Sequence, residues 1–197
     1  MPPRVRLALI ALFAFVFAAL AGVWIAALRS DGGGGGELAE GSVRPPGAHV
    51  PQYVLRDQDG KPARPADHRG RTAVYAFIYS HCEDVCPLEV QQIRGALDDL
   101  GRDVPVVGVS VDPAHDTATS ARAFLIKQHM TGRMRFLLGE RAALEPLWRA
   151  FGIRPQQKGL EHSAYVVVVD GAGRQRLGYP ADSLTSDGLA RDLARLG

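Results

Sequence analysis

Cys82 and Cys86 are the only two cysteines in the 197-residue chain, and they stand four apart in Tyr79-Ser80-His81-Cys82-Glu83-Asp84-Val85-Cys86-Pro87. Sulfurs at that spacing meet within about one helical turn, where they can close a disulfide or clamp one soft metal ion. The thiolate, not the thiol, is the nucleophile and the ligand. A helix N-terminus favours it, because the first amide N–H groups are unpaired and the dipole end is positive. Two inert core cysteines would seldom fall at such a place. The chain also holds six histidines. His81 adjoins the first cysteine and is placed to tune the thiol; two adjacent loop residues rarely ligate one ion. His49, His68, His115 and His129 lie in polar contexts, and a solvated surface position is expected for them.

The elements that must position these thiols are legible around them. Residues 73–79 form a nearly continuous apolar run rich in β-branched and aromatic types, the pattern of a buried parallel strand. Leu88, Ile93, Leu97 and Leu100 then recur at roughly helical spacing until Gly101 stops the pattern. The thiols therefore belong to a strand–loop–helix unit, with Asp84 or Cys86 near the N-cap and Pro87 tolerated in the first turn. Further strands are expected at 104–111, 135–138, 164–169 and 175–179, the last two forming a hairpin across Gly171-Ala172-Gly173. Helices are expected at 117–130, capped by Asp116 with Ala121, Phe124 and Leu125 on its faces, at 140–151 before Gly152, and at 184–196. Residues 52–55 and Asp57-Gln58-Asp59-Gly60 read as a short strand and turn. This order predicts an α/β fold with a central mixed sheet flanked by helices. A thiol pair at the end of the first central strand is where a thioredoxin-like fold carries its chemistry.

The N-terminus has a different character. Arg4 and Arg6 precede an uncharged, largely apolar run over 7–28. About 20 such residues suffice to cross a bilayer as a helix and exceed the usual core of a cleaved signal. The leading arginines hold the N-terminus in the cytoplasm. Residues 1–29 are thus expected to be a transmembrane signal anchor, although Ala26-Ala27 leaves cleavage open, and the remainder lies on the extracytoplasmic, periplasmic side. Residues 30–49, with the run from Gly32 to Gly36 and Pro45-Pro46-Gly47, read as a flexible tether. Residues 50–197 are long enough for one domain with its own core. With 23 basic and 21 acidic residues, a net charge of +2, the chain gives no reason to expect nucleic acid as a partner.

Three blocks in order carry a family resemblance: YSHCEDVCP, then VSVDPAHDT from Val109 to Thr117, then EHSAYVVVVD from Glu161 to Asp170. Together with DQDGKP from Asp57 to Pro62, they make the chain from about Val50 onward resemble the Sco/SenC family. Members are membrane-tethered, thioredoxin-like proteins that bind copper and help assemble the binuclear copper centre of cytochrome c oxidase. The resemblance implies that Cys82, Cys86 and His162 hold copper, as Cu(I) or Cu(II), with about one ion per chain. It implies as partner the copper-bearing subunit of cytochrome c oxidase or another copper chaperone. For Asp112 it implies a supporting role beside the metal or in docking a partner, whereas Asp116 is expected to serve the turn and helix start. The chain departs from the pattern at Glu83, where many members carry proline; the change adds a charge between the two thiols and removes no ligand.

The donor chemistry agrees with that implication. Two thiolates and an imidazole are a soft set suited to Cu(I), and an added ligand suits it to Cu(II). Structural zinc and iron–sulfur clusters ordinarily take about four protein ligands, and no further cysteine is present to complete them. Two other functions use the same residues. A thiol–disulfide oxidoreductase would use Cys82 and Cys86 as its redox pair, and a copper or redox sensor would use them to signal. Thioredoxin-type reductases place a cis-proline before the strand facing their thiols, but Leu160-Glu161-His162-Ser163-Ala164 contains no proline.

Overall fold

The computed structural model describes residues 39–156 and 164–197. The expected membrane anchor, the glycine run and His162 lie outside the described residues. Among the described residues no helix is long and apolar enough to cross a membrane.

One sheet organises the domain. Its strands are β1 (Ser42–Val43), β2 (Leu55–Asp57), β3 (Pro62–Ala63), β4 (Ala73–Ile78), β5 (Val106–Ser110), β6 (Met134–Leu138), β7 (Tyr165–Val169) and β8 (Gln175–Pro180), in the spatial order β1-β8-β7-β4-β5-β6-β2-β3. β4, β5 and β6 run parallel, with Ile78 level with Ser110, whereas β7 runs antiparallel on the other side of β4. The sheet is therefore mixed, as the alternation of strand and helix predicts. Every residue of β4 is buried, which explains why the run is apolar at consecutive positions and not at alternate ones.

The alternation of side chains along the strands sorts the core into two layers. Val74, Ala76 and Ile78 face α1 (Val85–Leu100), α2 (Ala118–Lys127) and α4 (Ser186–Leu196). Ala73, Tyr75 and Phe77 face α3 (Arg141–Phe151), whose Phe151 ring lies 4.9 Å from Phe77 and 5.3 Å from Tyr75. Burying each Val, Ile or Phe contributes about 1.5–3 kcal/mol. The sheet core thus supplies a rigid platform on which the loop after β4 is built.

The structure changes or refines three expectations. The sheet starts ahead of Val50: Ser42 and Val43 pair with Gly178 and Leu177, and His49 bridges to Arg174, so part of the expected tether is sheet edge. Leu88, which with Ile93, Leu97 and Leu100 marks the helical spacing, is 66% exposed; Cys86, Glu89, Val90, Ile93, Ala96 and Leu97 form the buried stripe. A stripe at 86, 89–90, 93 and 96–97 follows the helical period, which Leu88 breaks. Asp116 does not cap α2, because the side chain of Thr117 accepts from Ser120 N.

Candidate functional site

β4 ends at Ile78, and the next residues carry the chain across the edge of the sheet into α1. Tyr79 accepts a turn bond from Cys82 N at 3.3 Å. α1 begins at Val85 with Asp84 as N-cap, which makes no side-chain capping bond. Cys86 is thus in the first turn, with Pro87 beside it, where its missing N–H costs little. The helix ends at Gly101 in the left-handed conformation, φ 62°, which a glycine adopts without strain.

Both cysteines are free thiols, Cys86 fully buried and Cys82 nearly so. Cys86 N donates to Cys82 Sγ at 3.3 Å. The thiol of Cys86 donates to the same sulfur, the amide of Asp84 and the hydroxyl of Tyr79 add to it, and against the cost of burial these donors pull Cys82 down to about 5. Cys86 moves the other way: donating its proton to Cys82 and lying in the core both push its thiol up. Burial and the hydrogen bond to Cys82 likewise raise the Tyr79 hydroxyl. The pair is therefore asymmetric, a thiolate at Cys82 and a proton held at Cys86.

Below the thiols sits Glu89. It is 1% exposed, neither carboxylate oxygen has a hydrogen-bond partner, and burial with the nearby Cys82 charge pushes its carboxyl up to about 8. Sequence reasoning missed it, because a glutamate beside Leu88 looks like a solvated position. The signal was available in its spacing from Cys86 and Ile93, which is that of the buried stripe.

The end of β5 lies next to the thiol loop. Asp116 reaches across to it, accepting from Ser80 N at 2.8 Å, Ser80 Oγ at 2.6 Å and Ser110 Oγ at 2.5 Å. Asp112 instead pairs with His115 Nδ1 at 2.8 Å and raises Tyr79 through its charge, so it stands at the thiol end of the sheet. His81 is exposed and meets Ser80 Oγ at 3.1 Å, and His49 Nδ1 meets Gly47 O at 2.8 Å. His129 is also exposed, while His68 is half-buried, and burial lowers it. Among the described residues no three His, Cys, Asp or Glu side chains gather as a metal set. What this part of the chain offers a soft cation is the dithiol alone, one sulfur already ionised and both shielded from water, which fits a thiolate-seeking ion.

A dithiol at the end of a central parallel strand and the start of a helix, in a mixed sheet with helices on both faces, defines a thioredoxin-like domain. The chain belongs to the SCO1/SenC family, whose model matches residues 42–196. It is 28% identical over 121 residues to the mitochondrial SCO1 homolog 1 of Arabidopsis thaliana, covering 59% of this chain and 35% of that protein. Over 158 residues it is 26% identical to a putative copper-binding protein of Stutzerimonas stutzeri, covering 75% of this chain and 76% of the relative. The structure of Bradyrhizobium japonicum ScoI with copper bound superposes with a TM-score of 0.65 at 26% identity, over 76% of this chain and all of that one. The aligned part of the chain thus spans about a third of the Arabidopsis protein's length.

Proposed function

We propose that this chain is a membrane-tethered copper-binding factor that supports maturation of the binuclear copper centre of cytochrome c oxidase. Sco proteins act as copper-binding factors in the assembly of that enzyme. The observation that carries the reading is the asymmetric dithiol of Cys82 and Cys86: an ionised sulfur with a second one turn away is ready to accept a soft ion. His162 is the third ligand in this reading. Ala164, the first described residue after it, leads into β7 where that strand lies beside the end of β4. Gln156, on the other flank, donates to Val111 O at the end of β5. Both described flanks of the segment that carries His162 thus lie toward the end of the sheet where the thiols stand, and this supports the reading. Residues 1–29 anchor the chain, and the domain works on the extracytoplasmic side. Copper is cargo here, delivered to the oxidase subunit that carries it or received from another chaperone.

A second reading has its own observation. A thiolate at Cys82 backed by a buried, protonated Cys86 is also the arrangement of a nucleophilic and a resolving cysteine, so the same pair could reduce a partner's disulfide. A deletion strain of the source organism separates the two readings when it is complemented with wild-type protein or with His162→Ala. Copper delivery predicts that oxidase activity is lost on deletion, returns on adding copper to the medium, and is not restored by His162→Ala. Loss that copper does not relieve, with full rescue by His162→Ala, would assign the chain to thiol exchange.

A further inference from the structure

Asp116 makes more bonds than a residue serving a helix start requires. Its Oδ1 accepts from Ser80 N at 2.8 Å and Ser80 Oγ at 2.6 Å, and its Oδ2 accepts from Ser110 Oγ at 2.5 Å. Ser80 Oγ also lies 2.8 Å from Ser120 Oγ, in the first turn of α2. Thr117 already caps that helix, so the capping needs of α2 do not explain where the Asp116 carboxylate points. Ser110 is the last residue of β5, and its carbonyl accepts from Trp148 Nε1 of α3 at 3.0 Å, from the opposite layer. The carboxylate is thus one junction between the ends of β4 and β5 and the start of α2, braced by α3 behind it.

Ser80 is two residues ahead of Cys82, and between them the chain makes the turn closed by Cys82 N and Tyr79 O at 3.3 Å. A short turn transmits the position of its first residue to its last, because few dihedrals lie between them. We propose that Asp116 is a positioning residue for the thiol loop: by pinning both polar groups of Ser80 to the end of β5, it holds Cys82 Sγ against the amides that open α1. Among the described residues neither Asp116 nor Ser80 bonds to either sulfur, so the action runs through the backbone. Two charge-assisted bonds to one carboxylate oxygen are stronger than neutral ones and hold the start of the connection between β4 and α1. The inference rests on the reading of Cys82 and Cys86 as the working pair, and not on which metal they hold.

The test uses the full chain in detergent micelles, reduced and metal-free. Iodoacetamide labelling of Cys82, resolved from Cys86 by peptide mass, is followed against pH in wild type, Asp116→Ala, Ser80→Ala and Ser80→Thr, with circular dichroism recording folding. The midpoint of the labelling profile reports how well the donors hold the Cys82 thiolate, whereas a change in access alters only the plateau rate. The midpoint is expected to move up by at least about one pH unit in Asp116→Ala and in Ser80→Ala, and to return toward wild type in Ser80→Thr, which keeps the hydroxyl. Cu(I) affinity, measured by competition with bathocuproine disulfonate, is expected to fall at least about tenfold in the same two alanine variants. A less stable Asp116→Ala that labels with the wild-type midpoint would show that the carboxylate only stabilises the fold and would overturn the inference. If Asp116→Ala fails to fold, Ser80→Ala decides alone, and a wild-type midpoint there overturns it equally. Wild-type protein that takes up no copper would sink the copper reading while the labelling profiles still decide on Asp116.

Discussion

At the scale of single residues, the site is a set of donors aimed at one sulfur. Cys82 gathers the Cys86 thiol, two amides and the Tyr79 hydroxyl, while Cys86 keeps its proton in the core. Glu89 is the residue whose cost to the fold can be measured. Its carboxyl stands at about 8 in the folded chain against 4.5 unfolded, so the folded state binds the extra proton between those values. Below pH 4.5 the group is neutral in both states; as pH rises, the unfolded chain ionises first and stability falls until about pH 8. Glu89→Met keeps the volume and removes the unpaired polar atoms. It is expected to raise stability by about 1–3 kcal/mol at pH 8 and by less at pH 4. Urea unfolding at the two pH values checks this, and an equal gain at both would mean that Glu89 does not ionise out of step with folding. The thiols were legible in the sequence because cysteine is rare and its spacing is diagnostic. Asp116 and Glu89 were not, because a carboxylate in a turn or on a helix is ordinarily solvated, and only tertiary packing shows which ones are enclosed.

Secondary elements were read from apolar patterning, and the pattern worked where burial is complete. β4 and β7 are buried almost throughout, and their short length and content of β-branched and aromatic residues mark these apolar runs as inner strands. The thiol helix is legible from its spacing, but Leu88, in the first turn, stays exposed while the buried stripe runs through Cys86, Glu89 and Ile93. β1 left no trace, because a two-residue edge strand ending before Pro45 carries no periodicity. The proposed topology of the N-terminal run over 7–28 is testable by itself. A reporter active only in the cytoplasm, fused after Gly36, is expected to be silent, because basic residues such as Arg4 and Arg6 ahead of an apolar span favour a cytoplasmic N-terminus. An active reporter would place the thiols in a reducing compartment and remove the redox setting proposed for them.

At the scale of the whole molecule, the domain is a platform that presents a loop. Parallel β4 and β5 end together at Ile78 and Ser110, α1 starts just beyond, and both flanks of the segment that carries His162 return to the same end. The family resemblance was legible because its blocks are contiguous in sequence, whereas the bracing joins residues such as Ser80, Ser110 and Asp116 that only the fold brings together. On the proposed function the dithiol holds copper only in its reduced form, because a disulfide has no thiolate to donate. The most direct measurement is an anaerobic copper titration of the full chain, once with Cys82 and Cys86 reduced and once with the disulfide formed. The reduced protein is expected to take up about one copper per chain and the oxidised protein almost none. Equal uptake by the two forms would contradict the account, since the cysteines could then not be the principal ligands.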